Sequence, residues 1–236
     1  MEPAKPRKPK RPPRPTVFAA DLATTQGRAK AWSNSLLMDH AFFRVLWHNF
    51  APVAPGVLYR ANHPTPAQLA AMARRHGIRT VINLRGARAC GSAALSRDAA
   101  ARLGLSHVDM ALESRGAPQA DRILRLAEIY RTMTKPALIH CKSGADRAGL
   151  AAGVYLLLHG GSAAQAAKQL SWRYGHVSAS NTGILDAFFH LYAATGEGRK
   201  PFLDWVAEDY DARALRRDFH AHGLASFIND RMLRRE

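Results

Sequence analysis

Residues 136–149 read PALIHCKSGADRAG, an apolar run that gives way to a cysteine, a glycine and an arginine before turning apolar again. Pro136 to His140 suits a short buried strand, and Ala148 to His159 suits a buried helix. His140 to Gly149 is therefore a strand-to-helix junction, the place where ligands sit in a sheet of parallel strands. Gly144 frees the backbone to curl, and the amides of a curled loop at a helix N-terminus point inward as an anion cradle. Arg147 adds a forked donor that can hold two oxygens of a phosphate. Helix N-termini and neighbouring cations also favour the thiolate form of a cysteine. Cys141 is thus a candidate nucleophile, and Lys142, Ser143, Gly144, Ala145 and Arg147 form a candidate phosphate site.

The same alternation extends outward in both directions. Upstream, Thr65-Pro66 opens a helix that runs to His76 and stops at Gly77, an N-cap residue, an N1 proline and a C-terminal glycine in the expected order. Ile78 to Leu84 reads as a buried strand, residues 96–103 as a helix closed by Gly104, Leu105 to Leu112 as a strand and Gln119 to Thr132 as a helix. Val57 to Arg60 is a further short strand after the punctuation of Pro52, Pro55 and Gly56, and Trp32 to Phe50 has the spacing of an amphipathic helix. Downstream, helices are expected at Ala163 to Arg173, Thr182 to Thr195 and Phe202 to Phe219. Strands alternating with helices predict an α/β fold, a mostly parallel central sheet flanked by helices on both faces. The chain divides into a basic arm (1–15), an N-terminal helical extension (16–55), a central domain (56–195) and a C-terminal helical appendage packed on it (196–236).

Composition narrows the field. The chain has 236 residues, of which 47% are apolar, enough for a real core and too many for disorder throughout. Cys90 and Cys141 alone exclude a disulfide scaffold and suit a reducing cytoplasm. The nearly uncharged stretch from Ala148 to Ala167 is broken by His159, Gly160, Gly161 and Ser162, too short an apolar run for a bilayer. Thirty-four Lys and Arg against 18 Asp and Glu give a net charge of +16, which admits nucleic acid, an anionic membrane surface or an acidic substrate as partner. Part of that excess lies in residues 1–15, a proline-interleaved basic arm with nothing to bury, expected to be disordered and suited to the anionic inner face of a membrane. No basic platform interleaved with aromatics appears, so nucleic acid is the least economical partner.

The His140-Cys141 pair, the glycine at 144 and the arginine at 147 resemble the signature of the cysteine-dependent protein tyrosine and dual-specificity phosphatases: His-Cys, five residues, Arg. Two further stretches strengthen the resemblance, RYGHVSASNTGIL at 173–185 and the strand TVINLRG at 80–86, so that it covers roughly Val57 to Tyr192. It implies a dual-specificity-phosphatase-like fold carrying extra N- and C-terminal helices, and hydrolysis of phosphate monoesters in two steps without metal or cofactor. Cys141 would attack phosphorus to form a phosphocysteine, Arg147 and the loop amides would hold the equatorial oxygens, and water would release phosphate. The substrate would be a phosphorylated protein or a phosphorylated lipid or inositol.

The resemblance also bears on the supporting residues. His140 either holds the thiolate state from beneath the loop or satisfies backbone groups as a buried histidine. For the general acid there are three candidates: Asp109 at the end of the preceding strand, placed first by its spacing, Asp146 within the loop, and Glu113 if Asp109 lies inside the strand. Asn181 either orients the attacking water or caps the helix that follows. Lys142, Arg85 and Arg88 stand where they can extend a cationic wall toward a second phosphate, or simply face solvent. Cys90 is an inert small residue or a resolving thiol. Ala148 departs from the family, which has Ser or Thr there to bond the cysteine sulfur, and its presence predicts slow breakdown of the phosphoenzyme. A phosphate-binding module with little turnover is the alternative to an active enzyme.

Overall fold

The computed structural model describes residues 17–39 and 47–219. The basic arm, and His40, Phe43, Val45 and Leu46 of the expected amphipathic helix, lie outside the described residues.

Five strands form one sheet: β1 (Ala51–Ala54), β2 (Leu58–Ala61), β3 (Thr80–Asn83), β4 (Ser106–Asp109) and β5 (Ala137–His140), in the order β1-β2-β5-β3-β4. The last four are parallel, so the sheet is mostly parallel as expected, with β1 antiparallel to β2 on one edge. Strands β2, β3 and β5 are buried at every position, the pattern of strands covered by helices on both faces. Side chains alternate between two cores. Leu58, Ile82, Ala137 and Ile139 enter the larger one, while Tyr59, Ala61, Val81 and Leu138 enter the smaller. Strand β1 escapes a sequence reading because Pro52 looks like punctuation. Proline is tolerated here because the strand is an edge, and the ladder shifts register between Pro52 and Ala54.

The smaller core lies beneath α2 (Pro66–His76) and α3 (Gly91–Arg102), against which α1 (Thr25–Leu37) packs from outside. Thr65 and Gln68 form a reciprocal capping box at the start of α2. Of the expected helix from Trp32 to Phe50, the described residues show its first part within α1, which begins earlier and ends at Leu37, while Trp47 to Phe50 has no regular structure. Helix α3 starts five positions before the expected residue 96, at Gly91. A Cβ on Gly91 would fall 1.9 Å from the carbonyl oxygen of Ala31, so the absence of a side chain there permits α1 to approach.

The larger core is covered by α4 (Ala120–Thr132), α5 (Asp146–Leu158), α6 (Ala163–Ala167), α7 (Ile184–Thr195) and α8 (Phe202–Glu208). Helix α6 is shorter than expected and is followed by a 3₁₀ turn at Trp172–Tyr174. A second 3₁₀ turn, Asn181–Gly183, leads into α7. The expected helix from Phe202 to Phe219 breaks after Glu208 and restarts beyond Asp211, whose carboxylate accepts from the Arg213 amide at 2.7 Å, with residues 212–219 helical again. Phe202, Trp205, Tyr210 and Phe219 are buried in the larger core. Among the described residues no helix is long and apolar enough to cross a membrane.

Candidate active site

Strand β5 lies between β2 and β3, and its carboxyl end delivers Cys141 to the centre of the sheet's edge, directly under the N-terminus of α5. Cys141 is 1% exposed. The amide of Gly144 donates to its Sγ at 3.2 Å, so the loop curls back over the sulfur. That curl requires Gly144. Its φ is +79°, and a Cβ there would fall 2.8 Å from the backbone of Ala61 and Asn62 and from Asn49 Nδ2. Helix α5 opens at Ala145 with no side-chain cap, which leaves its first amides for an anion rather than for its own chain. Arg147, in its first turn, is largely buried, and its Nε has no hydrogen-bond partner among the described residues. Burial lowers its pKa, the Cys141 sulfur opposes that, and Arg85, Arg88 and Asp146 all act on it electrostatically. The loop therefore brings together a buried sulfur, an amide that donates to it, an uncapped helix start and a guanidinium.

Two residues that sequence reasoning missed hold this loop in shape. Arg60 of β2 is fully buried and donates to the carbonyls of Gly144 (2.7 Å) and Ala145 (3.1 Å). Its other terminal nitrogen donates to the carbonyl and side-chain oxygens of Gln169 at 2.8 and 3.0 Å, and its guanidinium sits 3.8 Å from the centre of the Tyr174 ring. Desolvation is the dominant influence on Arg60 and lowers its pKa to about 10, at which it remains charged near neutral pH. By drawing the loop's carbonyls outward, Arg60 leaves the amides facing in. Asn49 does the same from another side, donating to the carbonyls of Ser143 (2.8 Å) and Tyr174 (2.9 Å). An arginine in a short apolar strand and an asparagine before it were the only signals, and neither reveals its distant partners.

The three carboxyl candidates fall in different places. Asp109 ends β4, beside β3 and away from the loop-bearing β5. Its Oδ2 accepts from Arg97 Nε (3.0 Å) and Nη2 (2.8 Å), and its Oδ1 accepts from Asn83 Nδ2 (2.8 Å). Burial would raise its pKa, but these bonds and the Arg97 charge hold it below its ordinary value. Asp109 is thus engaged with Arg97 and Asn83 at the end of a strand that does not adjoin β5, the strand that carries Cys141. Glu113 is paired with Arg122 at 2.6 Å. Asp146 stands inside the loop itself, next to Arg147. Its Oδ1 accepts from His176 Nδ1 at 2.8 Å, and His176 Nε2 in turn meets Asp186 Oδ2 at 2.7 Å.

The remaining sites also sort themselves. Arg85 does not line an open wall. It is buried and donates from both terminal nitrogens to Asp39, each at 2.7 Å, with His63 Nδ1 3.2 Å from one of them. Lys142 is about half exposed, with Nζ 3.8 Å from the same Asp39 carboxylate. Ser143 and Arg88 are exposed, and Ala145 and Ala148 are buried. His140 is fully buried, edge-on to the His63 ring at 4.5 Å, with Nδ1 3.5 Å from the Cys141 carbonyl oxygen. Asn181 is exposed on its 3₁₀ turn, where the capping role belongs to Ser180, whose hydroxyl accepts from the Thr182 amide. Cys90 is a free, half-buried thiol at the start of α3.

Residues 48–184, more than half of the chain, match the family PTP-SAK, described as Swiss Army Knife protein, DSP-PTPase phosphatase domain, and the chain belongs to that family. It is a cysteine-based phosphatase of the dual-specificity type. No curated protein matches the chain. Among solved structures, a DUF442 protein of Shewanella putrefaciens CN-32 shares its fold at 18% identity, covering 65% of this chain and 94% of that one with a TM-score of 0.50. The core catalytic domain of the Saccharomyces cerevisiae PP-IP phosphatase SIW14 is similar at 16% identity over 75% and 94% of the two chains, with a TM-score of 0.47. Pseudomonas aeruginosa TpbA is similar at 18% identity over 73% and 91%, with a TM-score of 0.45.

Proposed function

We propose that this phosphatase hydrolyses phosphate monoesters through a phosphocysteine on Cys141, with Arg147 and the loop amides holding the phosphoryl oxygens and Asp146 acting as general acid. The observation that carries the reading is the loop itself, an amide 3.2 Å from a buried sulfur beneath an uncapped helix start. In the first step the Cys141 sulfur bonds to phosphorus as the ester P–O bond breaks, and the departing oxygen takes a proton from Asp146. In the second, water attacks phosphorus, the S–P bond breaks, and Asp146 recovers a proton from that water. The amides and Arg147 stabilise charge on the equatorial oxygens in both steps.

The cations around the loop favour a substrate that presents one phosphate at a time. Arg85 spends its charge on Asp39, and Lys142 approaches the same carboxylate, so the wall that would hold a second phosphate is partly neutralised. A phosphorylated protein side chain or a singly phosphorylated lipid or inositol suits such a site better than a polyphosphate. The test is turnover of a small aryl phosphate by wild type, Cys141→Ser and Arg147→Lys, followed by a panel of phosphopeptides, phosphoinositides and inositol polyphosphates. Cys141→Ser is expected to abolish turnover while retaining vanadate, and Arg147→Lys to lower kcat/KM by about 10²-fold or more. Turnover that survives both substitutions would overturn the cysteine mechanism.

A further inference from the structure

The proposed chemistry gives no task to His176. His176 follows the turn at Gly175, its side chain is wholly buried, and both of its ring nitrogens meet carboxylates. Nδ1 donates to Asp146 Oδ1 at 2.8 Å, and Nε2 donates to Asp186 Oδ2 at 2.7 Å. Two acceptor-only partners require a proton on each nitrogen, so the ring is an imidazolium. Burial by itself would lower its pKa, but the hydrogen bonds and charges of Asp146 and Asp186 override it and raise the value to about 9. Asp186 is steadied in turn by the hydroxyl of Ser178, which donates to its Oδ1 at 3.0 Å. The other charged groups facing this cluster are Arg147, next to Asp146, and His190 on α7, whose pKa burial keeps below its ordinary value. His190 therefore does not compete as a cation near neutral pH.

We propose that His176 is a positioning residue: an imidazolium, anchored by Asp186, that fixes the Asp146 carboxyl through Oδ1 so that Oδ2 is the oxygen offered to the leaving group. The inference rests on Asp146 being the general acid. A carboxyl at the start of a helix can otherwise turn about its last bond, and a misplacement of about 1 Å costs about 10²-fold in rate. The imidazolium also stabilises the carboxylate that forms when the Oδ2 proton passes to the departing oxygen as S–P forms and P–O breaks. When water later returns a proton to Asp146, His176 is unchanged. It gains and loses nothing, and acts only through Asp146.

The experiment compares kcat/KM for two aryl phosphates across pH. Phenyl phosphate has a basic leaving group that needs a proton, and dinitrophenyl phosphate has an acidic one that needs little help. Asp146→Asn is expected to slow phenyl phosphate by about 10²-fold or more and dinitrophenyl phosphate by a much smaller factor. His176→Asn keeps a donor near the Nδ1 position but no charge, and Asp186→Asn loosens the anchor. Both are expected to slow phenyl phosphate selectively, by about tenfold, and to leave dinitrophenyl phosphate nearly unaffected. Vanadate binding by each variant reports that the loop is folded, and Asp186→Asn serves if His176→Asn does not fold. If the His176 and Asp186 variants slow both substrates equally, or slow neither, the positioning role is wrong while Asp146 stands. If Asp146→Asn slows both equally, the general-acid reading falls and takes this one with it.

Discussion

At the scale of single residues, Gly144 meets two geometric demands at once. It must adopt a φ of +79° and pass within 2.8 Å of neighbouring backbone where a side chain would begin. Gly144→Ala combines left-handed backbone strain with overpacking, and together these cost about 2–4 kcal/mol. Denaturant unfolding should show that loss, and kcat/KM for an aryl phosphate should fall by about tenfold or more because the amide aimed at the Cys141 sulfur moves. A fully active Gly144→Ala protein of unchanged stability would show that the curl is not needed. Cys141, Gly144 and Arg147 were legible in the sequence because their chemistry is local: a strand end, a turn and a helix start within a few residues. Asp109 is the opposite case. Its distance along the chain suits an acid, but Arg97 and Asn83, which fix its charge, come from a helix and a strand that spacing does not register.

At the scale of elements, the junctions depend on ion pairs and hydrogen bonds between segments that are remote in sequence. Most helices and the parallel strands were legible from hydrophobic periodicity and capping signals, as at Thr65, Pro66 and Gly77. Strand β1, hidden by its proline, and the break in the last helix at Asp211 were not, since an edge position and a local cap become apparent only once the neighbours are placed. His176 joins the start of α5 to α7, and this link sets a pH dependence of stability. A histidine whose pKa rises on folding, here from 6.5 to about 9, stabilises the fold fully below its unfolded pKa and loses that contribution as pH rises through the folded value. Urea unfolding is expected to show declining stability between about pH 6.5 and 9. Asp186→Asn should flatten that decline, and an equal slope in the variant would remove His176 as its source.

At the scale of the whole molecule, the N-terminal extension is tied to the catalytic loop. Asp39 lies ahead of the family's matched region, which begins at residue 48, yet its carboxylate is bound to Arg85 and lies 3.8 Å from the Lys142 ammonium. Arg85 in turn acts electrostatically on Arg147, and its own pKa, lowered by burial, is carried above the ordinary value chiefly by Asp39. The extension thus supplies the counter-charge for a buried guanidinium next to the active site. Removing one partner of such a pair leaves the other charge buried and alone, which costs about 3–5 kcal/mol, whereas removing both with apolar residues of similar volume is often nearly neutral. Asp39→Ala should therefore unfold at markedly lower denaturant, and the double variant Asp39→Leu/Arg85→Met should recover most of the loss. Asp39→Ala should also tighten inhibition by inorganic phosphate, because the Arg85 charge is no longer compensated where it acts on the loop. A loss of stability of less than about 1 kcal/mol, with phosphate inhibition unchanged, would mean that the extension rests on the domain without governing its charge.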